Sequence, residues 1–346
     1  MPMLPIARRL LAASLLALPL AGPALAQGEL AIIAQRPASP DQEPFARFTR
    51  ETGIRITFVP TAGNAAVQAL STTPRGPGDV MLGTDASALA QLEAAGVFEP
   101  YSSAATQRVP VRFRHPAGLW TGVSARARIA VVRADEQNPP GSMAELADPR
   151  FRGKVCPTAP TAYNLSVTAR MIGLLGEEGA LRWAKGVAAN FAPDVPLASD
   201  FTQIQAVAAG RCDVAISNHY YLLRLGAPSA TPEQRQAAAR LRVAWPDQGD
   251  GQPGAMLNLT AIGLIRNAPN REAAARFIDF MMTEQAQAEF SGGIFYATLP
   301  DAPVPEAVRA LGTPRFDATP VASYGEHREA AARILREAAW PMPPRR

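Results

Sequence analysis

Two adjacent phenols are the residues of this chain best placed to do chemistry. Tyr220 and Tyr221 are two of six tyrosines among 346 residues, and they follow Cys212-Asp213-Val214-Ala215-Ile216-Ser217-Asn218-His219. Asp213 to Ile216 reads as a buried strand that stops at a polar pair, and Leu222-Leu223-Arg224-Leu225 begins a helical apolar run. Side chains able to become anionic, at a strand end beside a helix start, stand where open α/β proteins place ligands. Successive side chains on a strand point to opposite faces, so both phenols can turn toward one ligand only if the strand has ended. Composition alone also allows a plainer reading, in which both are wall aromatics with satisfied hydroxyls.

Other reactive groups are sparse. The patterns Gly-x-Ser-x-Gly and His-Glu-x-x-His are both missing, and His115, His219 and His327 are scattered. So little material for general-base work leads us to expect a protein that is not an enzyme. His115 and His327 are expected to face solvent. Cys156 and Cys212 are the only cysteines, each beside an apolar run. An even pair in an oxidising compartment is most simply one disulfide, with two buried thiols or a metal pair as alternatives.

The compartment follows from the start of the chain. Arg8 and Arg9 precede an apolar run from Leu10 to Leu20, and Ala24-Leu25-Ala26 follows. That is the pattern of a cleaved secretory signal peptide over residues 1–26, with Gln27 as the mature start. The apolar run is short of the roughly 20 residues a membrane span needs. The net charge of +4 includes Arg8 and Arg9, leaving about +2 on the mature chain. With no dense Lys/Arg cluster, nucleic acid is not an expected partner.

About 320 remaining residues suffice for two lobes of ordinary domain size. In the first, strands are expected at Glu29–Ile33, Ile54–Val59 and Gly78–Leu82, alternating with helices, the pattern of a parallel sheet covered by helices. Trp120 to Val132 is a longer extended run that carries the chain to a second lobe, and Ala255 to Ile265 brings it back. Arg126 and Arg128 on the first crossing are expected to divide between cleft and surface. Further expectations are a helix near Met143–Ala147, a strand at Gly153–Cys156, a polar loop over Thr158–Asn164, and helices over Leu165–Leu175 and Glu177–Ala189. The lobes are expected to divide as 27–126 and 251–293 for the N-lobe, and 127–250 with a tail of 294–346 for the C-lobe. Two lobes hinged by extended strands close around ligands.

Several runs carry a family resemblance. They are Gly122-Val123-Ser124-Ala125-Arg126-Ala127-Arg128, Leu146-Ala147-Asp148-Pro149-Arg150-Phe151-Arg152-Gly153-Lys154-Val155, Tyr163-Asn164-Leu165-Ser166 and Asn218-His219-Tyr220-Tyr221. In these the chain resembles the ferric-ion substrate-binding proteins of bacterial ABC importers, over nearly all of its mature length. The resemblance implies an α/β, two-lobe periplasmic-binding-protein fold of the class II type, with the ligand cleft between lobes. It implies a monomeric carrier in the periplasm that hands Fe³⁺ to an ABC permease and its ATPase. Tyr163, Tyr220 and Tyr221 match the family's phenolate ligands, and Asp85 stands where some members have a carboxylate ligand. Arg36, Arg126 and Asn218 stand where carbonate or another small anion is held, and a guanidinium fork suits that task. His219 occupies the family's variable position.

One departure bears on the cargo. Members usually carry Arg-His-Tyr after the first strand, whereas this chain reads Gln35-Arg36-Pro37-Ala38. Neither Pro37 nor Ala38 offers a side-chain ligand. The resemblance therefore leaves two cargoes open: ferric ion with a small anion, or an iron chelate or small organic anion in the same cleft.

Overall fold

The structure is a computed structural model that describes residues 28–60, 64–73 and 78–341. The expected signal peptide lies outside the described residues. Eight strands are present among those residues: β1 (Glu29–Ala34), β2 (Arg55–Phe58), β3 (Val80–Gly83), β4 (Phe98–Glu99), β5 (Thr121–Arg133), β6 (Val214–Asn218), β7 (Leu241–Ala244) and β8 (Leu257–Ile265). They run in the order β2-β1-β3-β8-β5-β6, with β4 beside β8 and β7 beside β5.

β5 is the strand that joins everything. Its first half, Thr121 to Ala127, pairs with β8, while Arg128 to Arg133 pairs with β6 and β7. All but the last of its residues are buried. A strand enclosed on both faces needs apolar or fully partnered side chains throughout, and Val123, Ile129, Val131 and Val132 supply the apolar ones.

The sheet is mixed rather than parallel. β1 pairs in parallel with β2 and β3, whereas β8 is antiparallel to β3, β4 and β5, and β5 to β6 and β7. The reason is connectivity. Helices Phe45–Thr52 and Asn64–Thr72 make the crossovers that parallel pairing requires. β5 leaves this part of the sheet and β8 returns to it, so the two run in opposite directions.

Other expectations are corrected locally. Gly153–Cys156 is not a strand: Val155 makes only isolated parallel bridges, to Phe191 and Val214, and Pro157 lacks the N–H that would extend pairing. Residues Ala144–Ala147 form a tighter 3-10 turn. The expected loop over Thr158–Asn164 becomes helix at Ala162, and the helix Ala162–Ala189 turns sharply at Gly176, whose φ of 70° suits glycine. Its two limbs are the two helices expected there. β6 runs two residues beyond Ile216, to Asn218, and the helix His219–Leu225 starts at once.

Cys156 and Cys212 form a disulfide across a sequence separation of 56. It joins the segment leading to Tyr163 with the segment leading to β6. The tail docks through Trp340, which packs on Phe191 at 5.0 Å and donates its indole N–H to the Thr158 carbonyl at 2.6 Å.

Candidate functional site

Tyr220 and Tyr221 occupy the first turn of the helix His219–Leu225, directly after β6. The strand has ended, and in a helix consecutive side chains are about 100° apart rather than opposed. The two rings lie with centroids 4.3 Å apart. Tyr220 is 2 % exposed and packs on Phe295 at 4.8 Å, while Tyr221 keeps partial access to solvent. Tyr163 reaches the same region from the first turn of the helix Ala162–Ala189. Burial raises the pKa of both Tyr163 and Tyr220. Each is also sensed by the charge around it: Arg126 and Arg36 oppose the rise, while ionising Tyr220 would push Tyr163 higher still. The three phenols thus converge from two separate helices.

Cations surround them. The guanidinium carbon of Arg126 lies 5.1 Å from the Tyr163 ring centre, and those of Arg36 and Arg224 lie 5.3 Å and 4.9 Å from Tyr220. Arg126 Nε and Nη1, Arg36 Nη2 and Asn218 Nδ2 are buried donors with no partner in the protein. A buried donor left unpaired costs free energy of about 1–3 kcal/mol. Each of the three residues expected to hold an anion therefore carries at least one spare donor here, as does Arg128 at Nε.

Asp85 is placed differently from expectation. It is wholly buried, and both carboxylate oxygens are engaged: Oδ1 accepts from Ser87 N at 2.9 Å and Ser166 Oγ at 2.7 Å, and Oδ2 from Asn258 Nδ2 at 2.9 Å and Arg126 Nη2 at 3.3 Å. It caps the helix Ala86–Ala94. A carboxylate with four donors already in place has no oxygen left for a metal, so the fourth-ligand reading is withdrawn. Burial raises the Asp85 carboxyl above its usual range, against the pull of Arg126, and burial also lowers Arg126.

Arg126 and Arg128 do not divide between cleft and surface. Residues two apart on a strand share a face, and both are buried. Arg128 pairs with Asp200 and donates from Nη2 to Asn164 Oδ1 at 2.8 Å. Asn164 thereby ties the Tyr163 turn to β5. The Tyr-Asn-x-Ser spacing singled out Tyr163, but its Asn and Ser have partners of their own that sequence reading missed.

His219 is structural. Its Nδ1 accepts from Ala127 N at 3.0 Å, which leaves the proton on Nε2 to donate to the Ile294 carbonyl at 2.9 Å. Desolvation holds its pKa down at about 4. His115 is likewise not solvent-facing: it sits against Trp120 and 3.1 Å from Glu93. Among the described residues, no group of three or more His, Cys, Asp and Glu side chains gathers as a metal site.

A cavity of about 360 Å³ is lined in part by Pro37, Ala38 and Phe290 and by Arg36, Arg224 and Phe295, three residues that pack on Tyr220. It lies where Pro37 and Ala38 project no donor atoms.

Comparison with known proteins settles the lineage. A model of the bacterial extracellular solute-binding proteins matches residues 77–315, more than half of the chain. The chain belongs to this family. Among its relatives, iron uptake protein A2 of Synechocystis is 36% identical over 269 residues, covering 76% of this chain and 77% of that protein. Iron uptake protein A1 of the same organism is 33% identical over 320 residues, covering 91% and 88%. The solved structure of Trichodesmium FutA, in complex with iron and citrate ligands, aligns with a TM-score of 0.84 at 30% identity, over 91% of this chain and all of that one. The architecture is thus the two-lobe fold of these solute-binding proteins, with β5 crossing between the lobes.

Proposed function

We propose that this protein is the periplasmic iron-binding component of an ABC importer. Ferric ion is held by the phenolates of Tyr163, Tyr220 and Tyr221, and a small anion such as carbonate by Arg36, Arg126 and Asn218. The observation that carries this reading is the convergence of three phenols with the unpartnered donors of those same three residues. Three phenolates balance the charge of Fe³⁺, and spare donors suit an anion that completes its coordination. Burial raises the phenols of Tyr163 and Tyr220 and so favours their protonated form before loading, and the metal displaces those protons as it binds. The relatives named for iron uptake support the same cargo. The lobes divide as 27–126 with 251–293, and 127–250 with 294–346. The protein acts as a monomer that presents its closed form to a membrane permease and its ATPase.

The test is optical. Fe³⁺ added to the purified mature protein, with and without bicarbonate, is expected to produce a visible tyrosinate-to-iron charge-transfer band. A colourless sample with every anion tried overturns the proposal.

A second reading is favoured by the cavity beside Arg36, Pro37 and Ala38, which is large enough for a small organic anion. In it, iron enters as a chelate whose carboxylates meet Arg36 and Arg224. Gel filtration of protein loaded with ferric citrate separates the two: isotope-labelled citrate travels with the iron in this reading and stays behind in the first.

A further inference from the structure

Asp85 stands over the point where the chain crosses between lobes. Arg126 of β5 and Asn258 of β8 are register partners in the sheet, and both donate to Asp85 Oδ2. Ser87 N, in the helix that Asp85 caps, donates to Oδ1. These three donors belong to the Asp85 side of the cleft and to the crossing strands, so they hold the carboxylate in one orientation whatever the other lobe does. The fourth donor comes from elsewhere. Ser166 Oγ, wholly buried, reaches Oδ1 at 2.7 Å from the helix that carries Tyr163. The base of that helix is tied by the Cys156–Cys212 disulfide and the Val155–Val214 bridge to the β6 side of the molecule.

We infer that the Ser166–Asp85 hydrogen bond is a closure latch, which holds the tyrosine-bearing helix of one lobe against the capped helix of the other. Ser166 and Asp85 are positioning residues; neither touches the cargo. A fixed carboxylate makes an effective catch because the donor on the moving side is the only group that must find it. When the lobes part, Oδ1 keeps its bond from Ser87 N and gains water, so opening leaves no stranded charge. Farther along the helix Ala86–Ala94, Gln91 Oε1 accepts at 3.1 Å from Nη2 of Arg328, on the tail helix Arg328–Glu337, in a partly buried contact that water can reach. The buried end therefore carries the greater share of the closure. Ser166 lies three residues beyond Tyr163 on one helix, so closing the latch also fixes where that phenol sits.

This inference rests on the two-lobe carrier reading, and its test has an arm that needs no iron. The mature protein is compared with Ser166→Ala and with Thr168→Val, which removes a buried hydroxyl of the same helix that bonds only to its own backbone. Small-angle scattering of the iron-free proteins is expected to show a larger radius of gyration for Ser166→Ala alone. Iron release to an excess of competing chelator is expected to quicken about tenfold in Ser166→Ala, the lower end of what one hydrogen bond to a charged acceptor contributes. The charge-transfer band and the iron stoichiometry should stay as in the parent. Unchanged scattering and release in Ser166→Ala overturn the latch, as does an equal effect in Thr168→Val. A parent that binds no iron defeats the carrier proposal instead, and the scattering comparison still decides the latch.

Discussion

The guanidinium of Arg126 faces the ring of Tyr163 at 5.1 Å while one of its nitrogens holds Asp85. One buried side chain of the crossing strand thus touches both the candidate ligand set and the carboxylate that latches the lobes. Its other two nitrogens, Nε and Nη1, are buried without a partner.

Replacing a phenol by phenyl keeps the packing and removes the donor oxygen. Tyr163→Phe, Tyr220→Phe and Tyr221→Phe are each expected to change unfolding free energy by less than about 1 kcal/mol. Each should also weaken or abolish the iron charge-transfer band. Chemical unfolding and a ferric titration on the same samples check both halves, and three variants with full affinity would remove the tyrosines from the site.

Arg126→Met leaves Asp85 buried without its ion-pair partner. Breaking a buried pair from one side costs about 3–5 kcal/mol, because the surviving charge stays desolvated. Urea unfolding of the iron-free variant at neutral pH is the measurement. Adding Asp85→Asn to Arg126→Met should recover a substantial part of the loss, since the second change removes the stranded charge.

Stability should fall in mild acid through His219. Its folded pKa of about 4 lies below the unfolded value of 6.5, so the unfolded chain takes up a proton that the fold refuses. The contribution is fully present above pH 6.5 and is lost as pH falls through 4, amounting to about 3 kcal/mol at most. Urea midpoints between pH 7 and pH 4 should flatten in His219→Gln, although that variant is less stable at pH 7 for want of one of its two backbone contacts.

The disulfide Cys156–Cys212 closes a long loop whose ends lead to Tyr163 and to Tyr220. Reduction, or Cys156→Ser with Cys212→Ser, is expected to cost about 3–4 kcal/mol by freeing the unfolded chain. Because the bond ties together the two segments that present phenols, reduced protein should also release iron faster. Thermal unfolding with and without reductant, beside the release assay, measures both.

Much of this site was legible from local pattern. The adjacent tyrosines at a strand end, the extended crossing run and the cysteine pair each depend on neighbouring residues or on simple counting, and each was found where expected. The same local logic mistook Gly153–Cys156 for a strand and Thr158–Asn164 for a loop. In the first case Pro157 ended the pairing; in the second the helix began one turn early, at Ala162.

Residue order sets which groups are available: adjacent phenols after a strand, Pro37 and Ala38 without donor atoms, and a long extended run at Trp120–Val132. Which of those groups are free and which are engaged depends on distant segments. Asp85 resembles a ligand until Arg126, Ser166 and Asn258 arrive from positions 41, 81 and 173 residues away to occupy its oxygens. Arg128 spends both terminal nitrogens on Asp200 and Asn164, while Arg126, on the same face, keeps Nη1 as well as Nε without a partner. Periodicity reports which face a residue takes, but the use of a buried polar group depends on the partners that distant segments bring to it, since each such group must be paired or bear the cost of desolvation.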